Sequence, residues 1–96
     1  MRNSFIVTYD VSDPERLRRT FKVMRRFGDH LQLSVFRCEL NARELVRLKA
    51  ALVEVIHARE DQVLIVDLGP EDGRGATSIS ALGRAYAPPS KSAIIV

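Results

Sequence analysis

The chain has 96 residues, with 15 Lys or Arg against 12 Asp or Glu, and 46% of it is hydrophobic. This balance excludes a wholly disordered chain, and the length fits one small domain and not two. No run of about 18 apolar residues is present to cross a membrane, and Asp10 and Asp13 interrupt the only apolar start that a signal peptide would need. We therefore expect a cytoplasmic protein with no membrane partner.

The positive charge is concentrated in the first half of the chain. Residues 1–50 carry 11 basic and 6 acidic groups, whereas residues 51–96 carry 4 and 6. A dense basic cluster attracts phosphate by charge and by forked hydrogen bonds, which indicates nucleic-acid binding, but a solvated helix face has the same composition. The cluster comprises Arg16, Arg18, Arg19, Lys22, Arg25 and Arg26.

The first predicted element is a strand over residues 3–10, which are rich in β-branched and aromatic residues. Alternation places Phe5, Val7 and Tyr9 on one face, which we assign to the helix-covered core because it is bulkier. Asp10 then lies at the end of this strand on the opposite face.

A helix follows, and its start has two candidate caps. Ser12 with Glu15 three residues later forms a capping-box pattern, and Asp13 before Pro14 is the competing N-cap. Gly28 is expected to end this helix. Its predicted apolar stripe comprises Leu17, Phe21, Met24 and Phe27.

Residues 30–40 are extended, but their apolar alternation slips by one position. Because a slip reverses the faces of a flat strand, we expect a bulge or a tight bend near residues 34–36. We expect the set after the slip to lie on the sheet face away from the helices. The sets are Leu31, Leu33 and Val35 before the slip, and Phe36, Cys38 and Leu40 after it.

A second helix is predicted over residues 42–58, capped by Asn41 or its neighbour. Residues 62–68 form an almost wholly apolar strand, which is typical of a central strand covered on both faces. A short strand is predicted over residues 76–83. The helix stripe comprises Leu45, Leu48, Leu52, Val55 and Ile56.

The order of these elements predicts an α+β fold, a ferredoxin-like βαββαβ sandwich with an additional C-terminal strand. We expect a single domain over residues 1–96, with a core of about 1–68 and a loop and strand extension over 69–96. Because the helices cover only one sheet face, the exposed apolar face predicts a homodimer.

Asp10 is the leading candidate for chemistry, since it ends a strand that precedes a helix. A carboxylate can coordinate Mg²⁺, which commonly uses one or two carboxylates with water and phosphate, and can orient an attacking water. A two-fold axis would bring two copies of Asp10 together. The alternative is that Asp10 only supports the turn and the start of the helix. We expect Asp13 to be a helix cap, and the lone Cys38 to be a core residue and not a nucleophile.

Two segments at a characteristic separation make the sequence resemble a known family. The run Tyr9–Asp13, with Arg16 and the basic helix, is followed by residues 32–40, which contain Ser34-Val35-Phe36. Over about residues 3–68 the chain resembles the small CRISPR-associated Cas-two (Cas2) family. His30 and Arg37 depart from the residues that are frequent in that family.

This resemblance implies a ferredoxin-like homodimer that takes part in spacer acquisition and antiviral defence with the CRISPR integrase Cas-one (Cas1). It implies a metal-dependent endonuclease on RNA or DNA, with Asp10 as the catalytic residue and the ligand of Mg²⁺, or of Mn²⁺. Arg16 matches the family's basic helix position, and Tyr9, Ser34 and Phe36 match its motifs.

Two other functions remain open from the sequence. One is a non-catalytic dimeric adaptor that binds prespacer duplex DNA and bridges integrase dimers. The other is a small-ligand or RRM-like RNA-binding domain, although the strands lack the aromatic-rich pattern of that class.

Overall fold

The computed structural model describes residues 1–86, and the predicted connector at 87–90 and apolar end at 93–96 lie outside them. The elements follow the order expected of a ferredoxin-like fold. They are β1 (Asn3–Asp10), α1 (Pro14–Phe27), β2 (Asp29–Gln32), β3 (Val35–Leu40), α2 (Ala42–Val55), β4 (Gln62–Pro70) and the short α3 (Arg74–Thr77).

The four strands form one antiparallel sheet in the order β2-β3-β1-β4. This confirms the predicted fold class. β1 is central and matches its predicted bounds, and the predicted bend separates β2 from β3 at residues 33 and 34. Leu33 takes a positive φ of 25° in this turn.

The core lies between the sheet and helices α1 and α2. As predicted, Phe5, Val7 and Tyr9 face the helices and are at most 6% exposed. Val7 is paired with Phe36, and Phe5 with Cys38. Directly paired residues share a face, so the set after the slip also lies in the core. The prediction that Phe36, Cys38 and Leu40 lie on the other face was therefore wrong, because the bend exchanges the faces of the sets before and after it.

Helix α1 begins at the N-cap Asp13, whose side chain accepts a hydrogen bond from the Arg16 amide. This settles the two candidate caps in favour of Asp13. Gly28 follows the last helical residue in an extended and not a left-handed conformation. Packing requires glycine at residue 28, because a Cβ there would stand 2.4 Å from the Cys38 sulfur.

The buried stripe of α1 is displaced from the predicted one. Met24 is buried as expected, and Phe21 and Phe27 pack against the core, but Leu17 is 39% exposed. Helix α2 begins with the predicted cap, Asn41, which forms a capping box with Glu44, and it ends at residue 55 and not 58. Leu48 and Leu52 are its buried residues.

β4 lies at an edge of the sheet, so its predicted central position was wrong. Its apolar residues divide between two faces. Val63 and Ile65 pack against the core, whereas Leu64 and Val66 are 51% and 47% exposed. We call the sheet face away from α1 and α2 the open face. A continuous apolar run shows that both faces are apolar, and not that both are covered within one chain.

The segment after β4 was also predicted incorrectly. Residues 74–77 form α3, and residues 78–86 are irregular, so no strand forms over 76–83. Gly75 packs so closely on the sheet that a Cβ would stand 2.7 Å from the Pro70 oxygen and 2.8 Å from the Ser4 hydroxyl. Among residues 1–86, no helix is long and apolar enough to cross a membrane.

Candidate functional site

Asp10 is the last residue of the central strand β1, opposite Gln62 of β4. Alternation along the strand places Asp10 on the open face with Ile6 and Thr8. Its side chain is exposed. The predicted position of this carboxylate, at the strand end and away from the helices, is therefore the one that the structure shows.

Asp10 belongs to no metal-binding cluster in the described part of the chain. No group of three or more His, Cys, Asp or Glu residues able to hold a metal occurs within residues 1–86. Asp13 is engaged as the cap of α1, and the buried Asp61 is engaged with Arg16. Asp10 therefore fits a hard cation that keeps most of its water, or one that takes further oxygen ligands from phosphate or another molecule.

Arg16 and the buried Asp61 form an ion pair, and Asp61 directly precedes Gln62, the strand partner of Asp10. The Arg16 Nε lies 2.8 Å from one Asp61 oxygen, and its Nη2 lies 3.3 Å from the other. Asp61 also accepts hydrogen bonds from the amides of His57 at 2.7 Å and Ser12 at 3.4 Å. The Arg16 guanidinium and these amides lower the pKa of Asp61 to about 2. The predicted contact of Arg16 with nucleic acid stays a prediction.

The N-terminal half of the basic cluster is neutralised by carboxylates. Arg16 lies against Asp61 and also against Glu60, at 3.0 Å. Arg18 and Arg19 share Glu15, at 2.5 Å and 3.6 Å. These three cations therefore face three carboxylates.

The C-terminal half of the cluster differs in this respect. Lys22, Arg25 and Arg26 have no carboxylate partner within residues 1–86 and are exposed. The Arg25 guanidinium lies 5.8 Å from the Phe21 ring centre, and that of Arg26 lies 5.6 Å from the Phe27 ring centre. Aromatic faces hold such cations in place without neutralising them. We call these three residues the free basic patch.

The predicted motif residues meet beside the turn between β2 and β3. The Tyr9 amide donates to the Ser34 carbonyl at 3.1 Å, and the Tyr9 and Phe36 rings stack with centres 6.2 Å apart. Burial raises the pKa of Tyr9. Tyr9, Ser34 and Phe36 thus fasten β1, immediately before Asp10, to the hairpin.

Sequence reasoning missed two charged residues that are buried. Asp61 carried one local signal, its position directly before an apolar strand, but its partner is 45 residues away. Arg37 is 7% exposed and reaches across the open face to the Tyr86 hydroxyl at 3.0 Å and the Gly75 carbonyl at 2.5 Å. It secures the segment after β4 to the sheet.

The profile of the family described as "CRISPR associated protein Cas2" matches residues 3–74. The chain belongs to the CRISPR-associated Cas2 family. The matched residues include Asp10, the whole basic cluster and the Arg16–Asp61 pair.

Two curated relatives match nearly the whole chain. The CRISPR-associated endoribonuclease Cas2 of Geobacter sulfurreducens is 41% identical over 96 residues, which is 100% of both chains. The CRISPR-associated endoribonuclease Cas2 1 of Rhodospirillum rubrum is 34% identical over 94 residues, covering 98% of this chain and 91% of the relative.

Solved structures share the fold. Streptococcus pyogenes Cas2, crystallised at pH 6.5, superposes with a TM-score of 0.72 and 30% identity over 83% of this chain and 99% of its own. A hypothetical protein of Thermus thermophilus superposes with a TM-score of 0.78 at 24% identity, over 93% of this chain and 100% of its own. At that identity the likeness shows the fold alone.

Proposed function

We propose that the chain is a Cas2-family endoribonuclease that uses Mg²⁺, or Mn²⁺, held by Asp10. The full-length match to a relative named as an endoribonuclease carries this proposal, because it covers Asp10 and the elements that position it. RNA is the preferred substrate, since the relatives described above carry that name. Duplex DNA is the alternative substrate, and cleavage assays on RNA and on duplex DNA distinguish the two.

The residues of the chain divide the work at the site. The exposed carboxylate of Asp10 is the metal ligand, and β1, between two neighbouring strands, holds it in place. Bound Mg²⁺ would supply positive charge to the scissile phosphate and lower the pKa of a coordinated water. The free basic patch would attract the nucleic-acid backbone.

A homodimer would complete the site. β4 has one unpaired edge among the described residues, and Leu64 and Val66 lie exposed beside Ile6 on the open face. A second copy that covers this apolar surface would also supply a second Asp10. We expect Val66→Lys to shift the protein to a monomer in sedimentation equilibrium. A wild-type monomer at micromolar concentration would contradict the dimer.

Asp10→Asn tests the proposed function, with Asp72→Asn as the matched control. Asp72 is also an exposed aspartate, but it follows the opposite end of β4. On single-stranded RNA with Mg²⁺, Asp10→Asn should lose at least about 100-fold in rate, because a direct metal ligand is lost. Asp72→Asn should retain the wild-type rate. Equal cleavage by wild type and Asp10→Asn would remove Asp10 from the reaction.

A non-catalytic adaptor for spacer acquisition is the second candidate function. The free basic patch favours it, because exposed cations attract the phosphates of duplex DNA without a metal. As an adaptor, the dimer would bind prespacer duplex DNA and bridge integrase dimers in antiviral defence. Reconstituted integration with Asp10→Ala distinguishes the functions. Full integration supports the adaptor, and loss of integration with the fold intact shows that the carboxylate is needed.

A further inference from the structure

Asp61 is a buried carboxylate that contacts three separate parts of the chain around Asp10. Its side chain is fully buried, although the chain is small. It contacts the first turn of α1 through Arg16, the β1–α1 turn through the Ser12 amide, and the α2–β4 turn through the His57 amide. Both of its oxygens are thereby satisfied.

These contacts lie on both sides of Asp10. Asp61 directly precedes Gln62, which is paired with Asp10 across the β1–β4 ladder. Ser12, whose amide donates a hydrogen bond to Asp61, follows Asp10 by two residues. Val11, between Asp10 and Ser12, is 7% exposed and packs in the core. The strand beside Asp10 and the turn after it are therefore joined through one carboxylate.

An ion pair whose carboxylate is buried favours one geometry. A carboxylate removed from water is costly unless its partners are retained, so Asp61 keeps the Arg16 guanidinium and the two amides at fixed positions. Only residues 11–13 separate β1 from α1, which leaves little slack in the chain. We therefore expect displacement of the start of α1 to shift the end of β1.

We infer that Asp61 is a positioning residue, which fixes the backbone around Asp10 and so presents the Asp10 carboxylate for metal binding. This inference rests on the proposed function. Asp61 itself contacts neither metal nor substrate. Glu60, the residue before Asp61, also contacts Arg16, but the Glu60 side chain is 59% exposed, so it is not expected to fix the geometry.

The test compares Asp61→Asn with Glu60→Gln, because each neutralises one carboxylate that contacts Arg16. In the metal-free protein, we expect Asp61→Asn to accelerate amide hydrogen exchange at Ser12 at least tenfold. We also expect Asp61→Asn to weaken Mn²⁺ binding, followed by the paramagnetic broadening of the Asp10 NMR signals. The Mn²⁺ concentration that gives half of the maximal broadening should rise by about 10- to 100-fold, as for other residues that orient a metal ligand. In RNA cleavage, kcat should fall while KM changes less than about twofold. Glu60→Gln should change each quantity less than about twofold.

Asp61→Asn that behaves like Glu60→Gln in exchange and in Mn²⁺ binding overturns the inference. If Asp61→Asn does not fold, Arg16→Lys replaces it, because lysine keeps the charge but loses the forked contact. It should shift the same quantities in the same direction, and unchanged values overturn the inference. Equal cleavage by wild type and Asp10→Asn instead refutes the proposed function, and the exchange and Mn²⁺ measurements still decide the role of Asp61.

Discussion

The division of the basic helix into a neutralised half and a free half predicts which arginines bind nucleic acid. Arg25 and Arg26 are exposed without a carboxylate partner in residues 1–86, whereas Arg18 and Arg19 share Glu15. The perturbation is Arg25→Gln/Arg26→Gln, and the matched control is Arg18→Gln/Arg19→Gln on the same helix. A paired arginine must leave its carboxylate to bind phosphate, so the control should have the smaller effect.

The size of the effect follows from counterion release. Each phosphate contact on a single strand contributes about 0.7 to the slope of log K against log salt, so losing two contacts per chain flattens the slope by about 1.4. Between 50 and 200 mM salt, wild-type affinity should then fall about sevenfold further than that of the Arg25/Arg26 variant. Fluorescence anisotropy with a labelled RNA in a salt series measures this. Equal flattening of the slope by the Arg18/Arg19 variant would contradict the division of the helix into a neutralised half and a free half.

Three further predictions concern the fold. Gly28→Ala places a Cβ 2.4 Å from the Cys38 sulfur and should lower the free energy of unfolding by about 2 kcal/mol, or Tm by about 8–16 °C. Gly73→Ala, where the nearest atoms are 3.9 Å away, should leave Tm unchanged. Equal Tm values for the two variants would show that close packing does not require glycine at residue 28. Burial raises the pKa of the Cys38 thiol to about 12, so alkylation should require unfolding, and rapid labelling of the native protein would contradict this. Because the pKa of Asp61 is lowered to about 2, its ionised carboxylate stabilises the folded state above pH about 4, and this stabilisation is lost as the pH falls towards 2. Denaturant titrations should show less acid sensitivity for Asp61→Asn than for wild type, and identical pH profiles would refute this.

Local patterns were sufficient to predict much of the fold. The β-branched and aromatic residues of β1 gave its bounds, and the change of parity before Phe36 located the turn between β2 and β3. The sequence pattern did not show which side chains of β3 face the helices, because that depends on the pairing of β3 with β1. Composition likewise could not distinguish an apolar edge strand from a central one, so β4 was misplaced.

The candidate site was predictable to the extent that it depends on neighbours in sequence. Asp10 at a strand end follows from the strand pattern. The state of the basic cluster does not, because Arg16 is neutralised by residues 44 and 45 positions away. A sequence displays how many charges a helix carries, whereas their pairing depends on which turns the fold brings together.

We propose above that Asp10 holds the metal of a Cas2-family ribonuclease, and this role can be measured directly. The most direct measurement is the initial rate of single-stranded RNA cleavage against Mg²⁺ concentration for wild type and Asp10→Asn, each repeated with excess EDTA. We expect a saturable dependence on Mg²⁺ in the wild type that EDTA abolishes, and no Mg²⁺-dependent cleavage by Asp10→Asn. Superimposable Mg²⁺ curves for the two proteins would contradict it.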